Sequence, residues 1–398
     1  MRRWSDFEGT ITARWVLPLS GPPLSHGQVT VRAGQIQAVE PAGTRPADRV
    51  FERAAILPGL VNAHVHLDLT GMRGLAPPRL PLTDWLMEVI RHRQSRSQEQ
   101  IRHDIRAGLD ECIRAGTTTL GDISGAGASW DVMVESGIRA VVFHEIIGLK
   151  PERARGSWEA FQGWASVRED RPLCRKGVSP HAPYSTGRWL YDKAVALNLP
   201  LATHWAETAD EDDLLRHQRG CFVPFLQQVG AWEPEQLGAP EELLALCQRA
   251  TPCLLAHANY MDPLTPLTSG TTVVYCPRTH AAFGHAPHPL PALLDRGTRV
   301  ALGTDSLASN PDLDLLAEVR WLRRQHPGLS GERLLRLATL SGAEALAVSD
   351  ETGSLEAGKS ADLIVVPLLD GIDEPHDAIL HGSAGVDRVM VGGRWWTG

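Results

Sequence analysis

The chain has 398 residues, of which 43% are hydrophobic, and a formal net charge of −8. A chain of this length can bury a large core, and its dispersed Lys and Arg residues exclude the clustered positive charge typical of nucleic-acid or anionic-membrane binding. No apolar run has the length of a signal peptide or a membrane span, and the six cysteines lack close pairs, so we expect reduced thiols in a cytoplasmic protein.

Both ends of the chain predict short strands separated by turns. Three β-type pieces lie between residues 10 and 39, and two more lie between residues 362 and 391. We therefore predict a small β-sandwich domain that is assembled from residues 1–55 and 355–398.

The long middle of the chain alternates apolar strands with amphipathic helical stretches. Eight strands alternating with helices is the count of a (β/α)8 barrel, so we predict an α/β fold with a TIM-type barrel over residues 56–354. The eight candidate strands are residues 56–68, 117–123, 139–147, 177–185, 199–207, 252–260, 271–277 and 299–305.

The first candidate strand ends in two histidines, His64 and His66, separated by one residue. Alternate residues of a strand point to the same face, so the two imidazoles project side by side. Neutral imidazole is a good ligand for zinc and iron. The pair alone is weak evidence, because two polar residues at a strand end have many uses.

Two later strand ends supply the remaining ligands of a metal site. His204 lies at the end of the fifth strand and Asp305 at the end of the eighth, and barrel active sites gather at these ends. With His64 and His66 they predict a site for one divalent cation, and we favour zinc over iron. Such a cation would lower the pKa of a bound water toward neutrality and supply hydroxide.

Other strand ends carry candidate catalytic residues. The carboxyl of Glu207 could protonate a substrate ring nitrogen, while His257 and Asp305 could manage the remaining protons. His181 could orient the substrate, although it and His257 could also be hydrogen-bonded core histidines.

Several further positions have two readings. His280 is a substrate-binding candidate, but a structural role explains it equally well. Trp85 is a second candidate, for which core packing is the default interpretation. For His144 and Glu145 a hydrogen-bonded pair is a slightly better interpretation than a place in the pocket. We interpret the basic stretch that includes Arg93 and Arg96 as a solvated helix face.

The chain resembles the amidohydrolase superfamily, in its cytosine-deaminase-like and chlorohydrolase-like branch. The resemblance covers nearly the whole chain. The motifs that carry it are PGLVNAHVH at residues 58–66, SPHAPYS at 179–185, HWAET at 204–208, GTDSLASN at 303–310 and GSLEAGKSADL at 353–363.

The resemblance implies a metal site and assigns a role to each of its residues. The metal ligands fall on His64, His66, His204 and Asp305, and the proton-transfer roles fall on Glu207 and His257. Two-metal members carry a carboxylated lysine at the end of strand four. Here Lys176 stands at the start of that strand and His181 at its end, which indicates a single metal.

The implied activity is hydrolytic deamination of an aminated heterocycle. Residues 276–285 (CPRTHAAFGH) and 303–310 are most similar to the aminodeoxyfutalosine deaminase group, which acts on an adenine nucleoside in menaquinone synthesis. Deamination of adenosine or S-adenosylhomocysteine is the nearest variant.

Two other functions remain open. The same site could serve a chlorohydrolase or a cyclic-amide hydrolase, or the chain could be a non-catalytic structural relative. The expected partner is a small-molecule substrate, with no nucleic acid and no membrane, and homo-oligomerisation stays open.

Overall fold

The computed structural model describes residues 4–79 and 81–397. Within these residues, six strands precede the barrel: β1 (Trp4–Asp6), β2 (Gly9–Val16), β3 (Leu24–Ser25), β4 (Gln28–Arg32), β5 (Gln35–Glu40) and β6 (Arg49–Pro58). Eight strands form the barrel: β7 (Leu60–Val65), β8 (Thr117–Gly125), β9 (Arg139–Ile146), β10 (Cys174–Pro180), β11 (Leu201–Trp205), β12 (Cys253–His257), β13 (Thr271–Tyr275) and β14 (Val300–Leu302). Three strands follow it: β15 (Leu363–Pro367), β16 (Arg388–Val391) and β17 (Arg394–Trp396).

One mixed sheet joins the two ends of the chain. Its strand order is β1-β17-β16-β15-β6-β2-β4-β5, and β3 pairs with β2. In this sheet Trp4 of β1 lies opposite Trp396 of β17. Ile11, Val365 and Trp395 belong to one buried hydrophobic cluster, which contains residues from both ends of the chain. The prediction of a sheet built from both ends is therefore confirmed.

The eight barrel strands form a parallel sheet in sequential order, β7 through β14. Their branched apolar residues are buried along the whole strand, as in β9 and β13, which is the pattern of a parallel sheet covered on both faces. An isolated parallel bridge between Val65 and Asp305 brings the first and last strands together. The structure confirms the predicted (β/α)8 barrel.

The first predicted strand, residues 56–68, is wrong as a single element. Residues up to Pro58 belong to β6 of the mixed sheet, and β7 of the barrel begins at Leu60. Gly59 stands between them, where a Cβ atom would lie 2.1 Å from Oγ1 of Thr118. Only glycine permits this close approach, and a continuous apolar run does not reveal it. A short 3-10 helix, Leu67–Met72, follows β7 directly.

Helices connect the strands and begin where local chemistry favours them. Pro151 occupies the first turn of its helix, and Asp314 caps another by accepting a hydrogen bond from the amide of Ala317 at 3.0 Å. The α-helices are α1 (Leu82–Ser95), α2 (Gln98–Arg114), α3 (Trp130–Ser136), α4 (Pro151–Ser166), α5 (Arg188–Val195), α6 (Ala209–His217), α7 (Phe222–Gln228), α8 (Pro240–Cys247), α9 (Pro277–Phe283), α10 (Leu290–Asp295), α11 (Leu315–Gln325), α12 (Gly331–Leu337), α13 (Leu340–Ala345) and α14 (Pro375–Leu380).

The described chain divides into two compact units. One holds the described residues of Met1–Ala63, Leu109–Leu120 and Leu313–Gly398, and the other those of His64–Gly108 and Gly121–Asp312. Every candidate site residue lies in the second unit. The domain limits drawn from the sequence, 1–55 with 355–398 and 56–354, stay a prediction. Among the described helices, none is long and apolar enough to cross a membrane.

Candidate active site

The four residues predicted to bind a metal lie together at the carboxyl ends of the barrel strands. Nε2 of His66 lies 3.2 Å from Nε2 of His204. One oxygen of Asp305, Oδ1, lies 3.6 Å from Nε2 of His66 and 3.7 Å from Nε2 of His64. All four side chains are buried. Ligand atoms about 2.0 Å from a shared tetrahedral ion stand about 3.3 Å apart, so these separations fit one cation.

The chemistry of the donor set also fits a divalent cation. Burial, followed by the neighbouring imidazoles, lowers the pKa of His66 well below its ordinary value, and burial lowers the pKa of His204 to about 4. Both rings are therefore neutral near pH 7 and carry a lone pair for a metal. His257 borders the same cluster, because its ligand nitrogen lies within 4.8 Å of those of His64 and His204.

Hydrogen bonds behind the ligands fix their orientation. Nδ1 of His204 donates to the carbonyl oxygen of His181 at 2.7 Å, which leaves Nε2 as the acceptor. The hydroxyl of Ser309 donates to Oδ2 of Asp305 at 2.6 Å and in turn contacts Oγ1 of Thr279 at 3.1 Å. Asp305 thus presents its other oxygen, Oδ1, to the histidines.

Three residues of the site have a left-handed backbone conformation that non-glycine residues rarely adopt. The φ angle is 56° at Asp305, 68° at His257 and 45° at Ala206, which precedes Glu207. Such strain persists only where the surrounding structure enforces it, and it is concentrated at functional sites.

Glu207 lies beside the imidazole cluster as a buried carboxyl. Burial, and then the negative charges of Asp305 and Glu211, raise its pKa well above the ordinary value. Its Oε1 is 3.7 Å from Nε2 of His257. A protonated carboxyl can therefore stand next to a neutral imidazole, an arrangement suited to proton transfer.

Glu211, which the sequence reasoning missed, holds the Glu207 segment from behind. Its two oxygens accept hydrogen bonds from the amides of Ala206, at 3.1 Å, and Glu207, at 3.3 Å. Both residues precede α6, so Glu211 in the first turn of this helix holds the backbone that connects β11 to α6. The signal available in the sequence was a second acidic residue four positions after Glu207, in the first turn of a helix.

A pocket opens over the cluster of predicted metal ligands. Trp85 and His181 line it, together with apolar side chains of α1 and the 3-10 helix. The indole of Trp85 donates to the carbonyls of Ala76, at 3.2 Å, and Ala308, at 3.3 Å, which fixes its ring at the wall. His280 does not reach this pocket: its ring contacts the hydroxyl of Tyr275 and the carbonyl of Ala286.

The interpretation of Arg93 and Arg96 as a solvated helix face is wrong. Arg93 lies at the pocket wall and bridges two buried carboxylates, Asp68 at 3.1 Å and Glu145 at 2.9 Å. Arg96 pairs with Asp104 at 2.5 Å. The partners come from other elements, Asp68 from the 3-10 helix, Glu145 from β9 and Asp104 from α2, so the basic stretch alone gave no sign of them.

His144 and Glu145 are not a hydrogen-bonded pair. Neighbouring residues of a strand face opposite sides, and the ring of His144 packs against those of Phe161 and Trp164. Glu145 points to the other side and lines the pocket.

Lys176 lies away from the pocket lining, and its ammonium donates to the carbonyl of Arg168 at 2.6 Å. The position at the end of β10 where a second metal would need a lysine is occupied by His181. The described residues therefore supply one cluster that suits a single cation.

This fold and this donor set define a metal-dependent hydrolase, and the comparisons agree. The chain belongs to the amidohydrolase family, whose model matches residues 55–396. It is 32% identical over 412 aligned residues to the 5-methylthioadenosine/S-adenosylhomocysteine deaminase of Moorella thermoacetica, covering 95% of this chain and 91% of the relative.

Two solved structures are similar over the whole chain. An adenosine deaminase from Xanthomonas campestris with bound zinc has a TM-score of 0.77 and 27% identity, covering 97% of this chain and 92% of the other. The aminofutalosine deaminase of Helicobacter pylori has a TM-score of 0.85 at 22% identity, covering 97% and 99%, and shows the shared fold.

Proposed function

We propose that the protein is a hydrolytic deaminase of adenine nucleosides. The observation that carries the proposal is the buried carboxyl of Glu207, 3.7 Å from the neutral ring of His257 and beside four metal-binding side chains. The relatives that carry deaminase names support the same reaction class. Fold likeness alone would not decide among chemistries.

The reaction replaces the exocyclic amine of the ring by oxygen. An oxygen–carbon bond forms between water and the amine-bearing carbon, the carbon–nitrogen bond breaks, and ammonia leaves. His64, His66, His204 and Asp305 would hold the cation, for which we favour zinc. The bound cation supplies Lewis acidity, which makes water a nucleophile near neutral pH.

The residues around the cluster move the protons. The raised pKa of Glu207 favours its protonated form, so its carboxyl can deliver a proton to the ring nitrogen next to the reacting carbon. His257 and Asp305 then pass the proton of the attacking water to the departing amine. The apolar wall with Trp85 covers the ring and excludes bulk water.

Substrate specificity depends on residues other than those that transfer protons. We propose an adenine nucleoside, with 5-methylthioadenosine, S-adenosylhomocysteine, adenosine and aminodeoxyfutalosine as the candidates. The similarity of residues 276–285 to the aminodeoxyfutalosine group favours the last, and the curated relatives favour the first two.

The test is a panel of adenine nucleosides with the metal-loaded protein. Ammonia release and loss of the adenine absorbance are expected for at least one member, and Glu207→Gln, at equal metal content, should slow both by at least about 100-fold. No reaction with any adenine nucleoside would overturn the proposal. Chloride release from a chlorotriazine without ammonia release would point to halide displacement in the same site.

A further inference from the structure

One carboxylate in the pocket has an oxygen that no described group satisfies. Glu145, at the end of β9, lines the pocket with His181, His204 and Glu207, and its side chain is only 6% exposed. Its Oε2 accepts a hydrogen bond from Arg93 at 2.9 Å. Its Oε1 is buried without a hydrogen-bond partner, and Nε2 of His181 is 3.9 Å away, beyond hydrogen-bond distance. A buried acceptor left unsatisfied in this way calls for an explanation.

Arg93 keeps this carboxylate in place and charged. Burial is the largest single influence and raises the pKa of Glu145. The charge of Arg93, followed by the imidazoles of His181 and His204 and the hydrogen bond from Arg93, together outweigh burial and lower this pKa to about 2. The guanidinium of Arg93 also pairs with Asp68. One positive and two negative side chains therefore give the group of Arg93, Asp68 and Glu145 a formal net charge of −1. An ionised carboxylate only accepts hydrogen bonds, so this wall favours a ligand group that donates and disfavours an anion.

An adenine nucleoside has donors of this kind at one place remote from the reacting carbon. The exocyclic amine must face Glu207 and the metal-binding cluster, which leaves the ribose hydroxyls as the strong donors. Hydrogen bonds from hydroxyls to an ionised carboxylate are shorter and stronger than neutral ones. A free nucleobase lacks these hydroxyls and would leave Glu145 unpaired.

We propose that Glu145 determines substrate specificity by accepting a hydrogen bond from a ribose hydroxyl, with Arg93 as its positioning residue. The inference rests on the proposed nucleoside deaminase function and adds its substrate class. The enzyme acts on nucleosides with an intact ribose and discriminates against free bases and dideoxynucleosides.

The test compares kcat/KM for adenosine and 2′,3′-dideoxyadenosine in the wild type and in Glu145→Gln. A site built to hydrogen-bond a hydroxyl rejects the analogue that lacks it, so the wild type should prefer adenosine by at least about 100-fold. In Glu145→Gln the preference should fall below about 10-fold. Metal content and thermal unfolding of this variant at the wild-type level would report an intact fold and metal site.

A matched control is Asp68→Asn, which removes the other carboxylate of the same guanidinium. Asp68 lines a separate cavity beyond Arg93 and does not line the metal pocket, so the preference for adenosine should persist. If Glu145→Gln fails to fold, Glu145→Asp keeps the charge but shortens the side chain. A preference at the wild-type level in that variant would contradict the inference.

The two proposals fail in different ways. Equal kcat/KM for adenosine and dideoxyadenosine in the wild type would overturn the role of Glu145 and leave deamination standing. Inactivity toward every adenine nucleoside would overturn the proposed function, and the specificity inference with it.

Discussion

The backbone amide of Asp305 donates a hydrogen bond to the carbonyl oxygen of His64 at 3.0 Å. This contact joins the last strand end of the barrel to the first, next to the bridge between Val65 and Asp305. Two of the four predicted metal ligands, His64 and Asp305, are therefore held by the same backbone contact that closes the sheet. The positions of His64 and Asp305 are thus tied to the closure of the barrel.

Removing the hydroxyl of Ser309 should weaken metal binding without removing a ligand. Ser309→Ala deletes the 2.6 Å hydrogen bond to Oδ2 of Asp305, and the loss of such supporting contacts costs about 10- to 100-fold in metal affinity. A competition titration with a chromophoric chelator measures the change. Ser166→Ala, at an exposed serine that contacts only a backbone carbonyl, is the control. Equal affinities in both variants would contradict a supporting role.

Glu207→Gln should separate catalysis from metal binding. The amide cannot deliver the proton, so kcat should fall by about 10²- to 10⁴-fold while one equivalent of metal stays bound. Because the pKa of Glu207 is raised, the wild type should be active below that pKa and lose activity as the pH rises through it. Elemental analysis and a pH–rate profile check both statements, with the exposed Glu241→Gln as control. A loss of metal together with activity would make Glu207 a structural residue.

Asp122 should make stability depend on pH. It is 1% exposed and accepts hydrogen bonds from the amide of Leu67 and the hydroxyl of Ser129. Burial raises its pKa from 3.8 to about 7, so the folded state binds the proton more tightly than the unfolded state. This stabilising effect is complete below about pH 4 and is lost as the pH rises toward 7.

Asp122→Asn removes this titration. The free energy of unfolding of the variant, relative to that of the wild type, should therefore rise by about 2 to 3 kcal/mol from pH 5 to pH 7.5. Urea unfolding at both pH values measures the difference. The control is Asp131→Asn, whose carboxylate is 59% exposed. Parallel profiles for the wild type and Asp122→Asn would show that the carboxyl has no raised pKa.

Trp85→Phe tests the pocket wall. The substitution keeps an aromatic ring but removes the indole donor to the carbonyls of Ala76 and Ala308, so the wall loses its fixed position. KM should rise about 5- to 10-fold with kcat within about threefold, since one such hydrogen bond contributes about 1 kcal/mol. Trp189→Phe, at a partly exposed tryptophan on α5, is the control. An unchanged KM would assign Trp85 to packing alone.

Much of the site could be predicted because a barrel imposes its own geometry. Strand ends meet at one face, so His64, His204 and Asp305 could be grouped before any distance was known. The same rule placed Glu207 and His257 at that face. Their roles as metal ligands and proton carriers stay predictions until variants are measured.

The remaining features depend on contacts that a local pattern does not contain. Arg93 has the sequence context of a solvated helix, yet its charge is matched by Asp68 and Glu145 from other elements. Glu211 acts through backbone amides, which leave no trace in side-chain chemistry. The break at Gly59 follows from a steric clash with Thr118, which lies in a different strand.

The central claim is that His64, His66, His204 and Asp305 hold one divalent cation. The most direct measurement is elemental analysis of the protein purified without chelators, together with the His204→Ala and Asp305→Ala variants. The account predicts about one equivalent of metal per chain in the wild type and a strong loss in both variants. No metal in the wild type, two equivalents, or full metal content in the variants would contradict it.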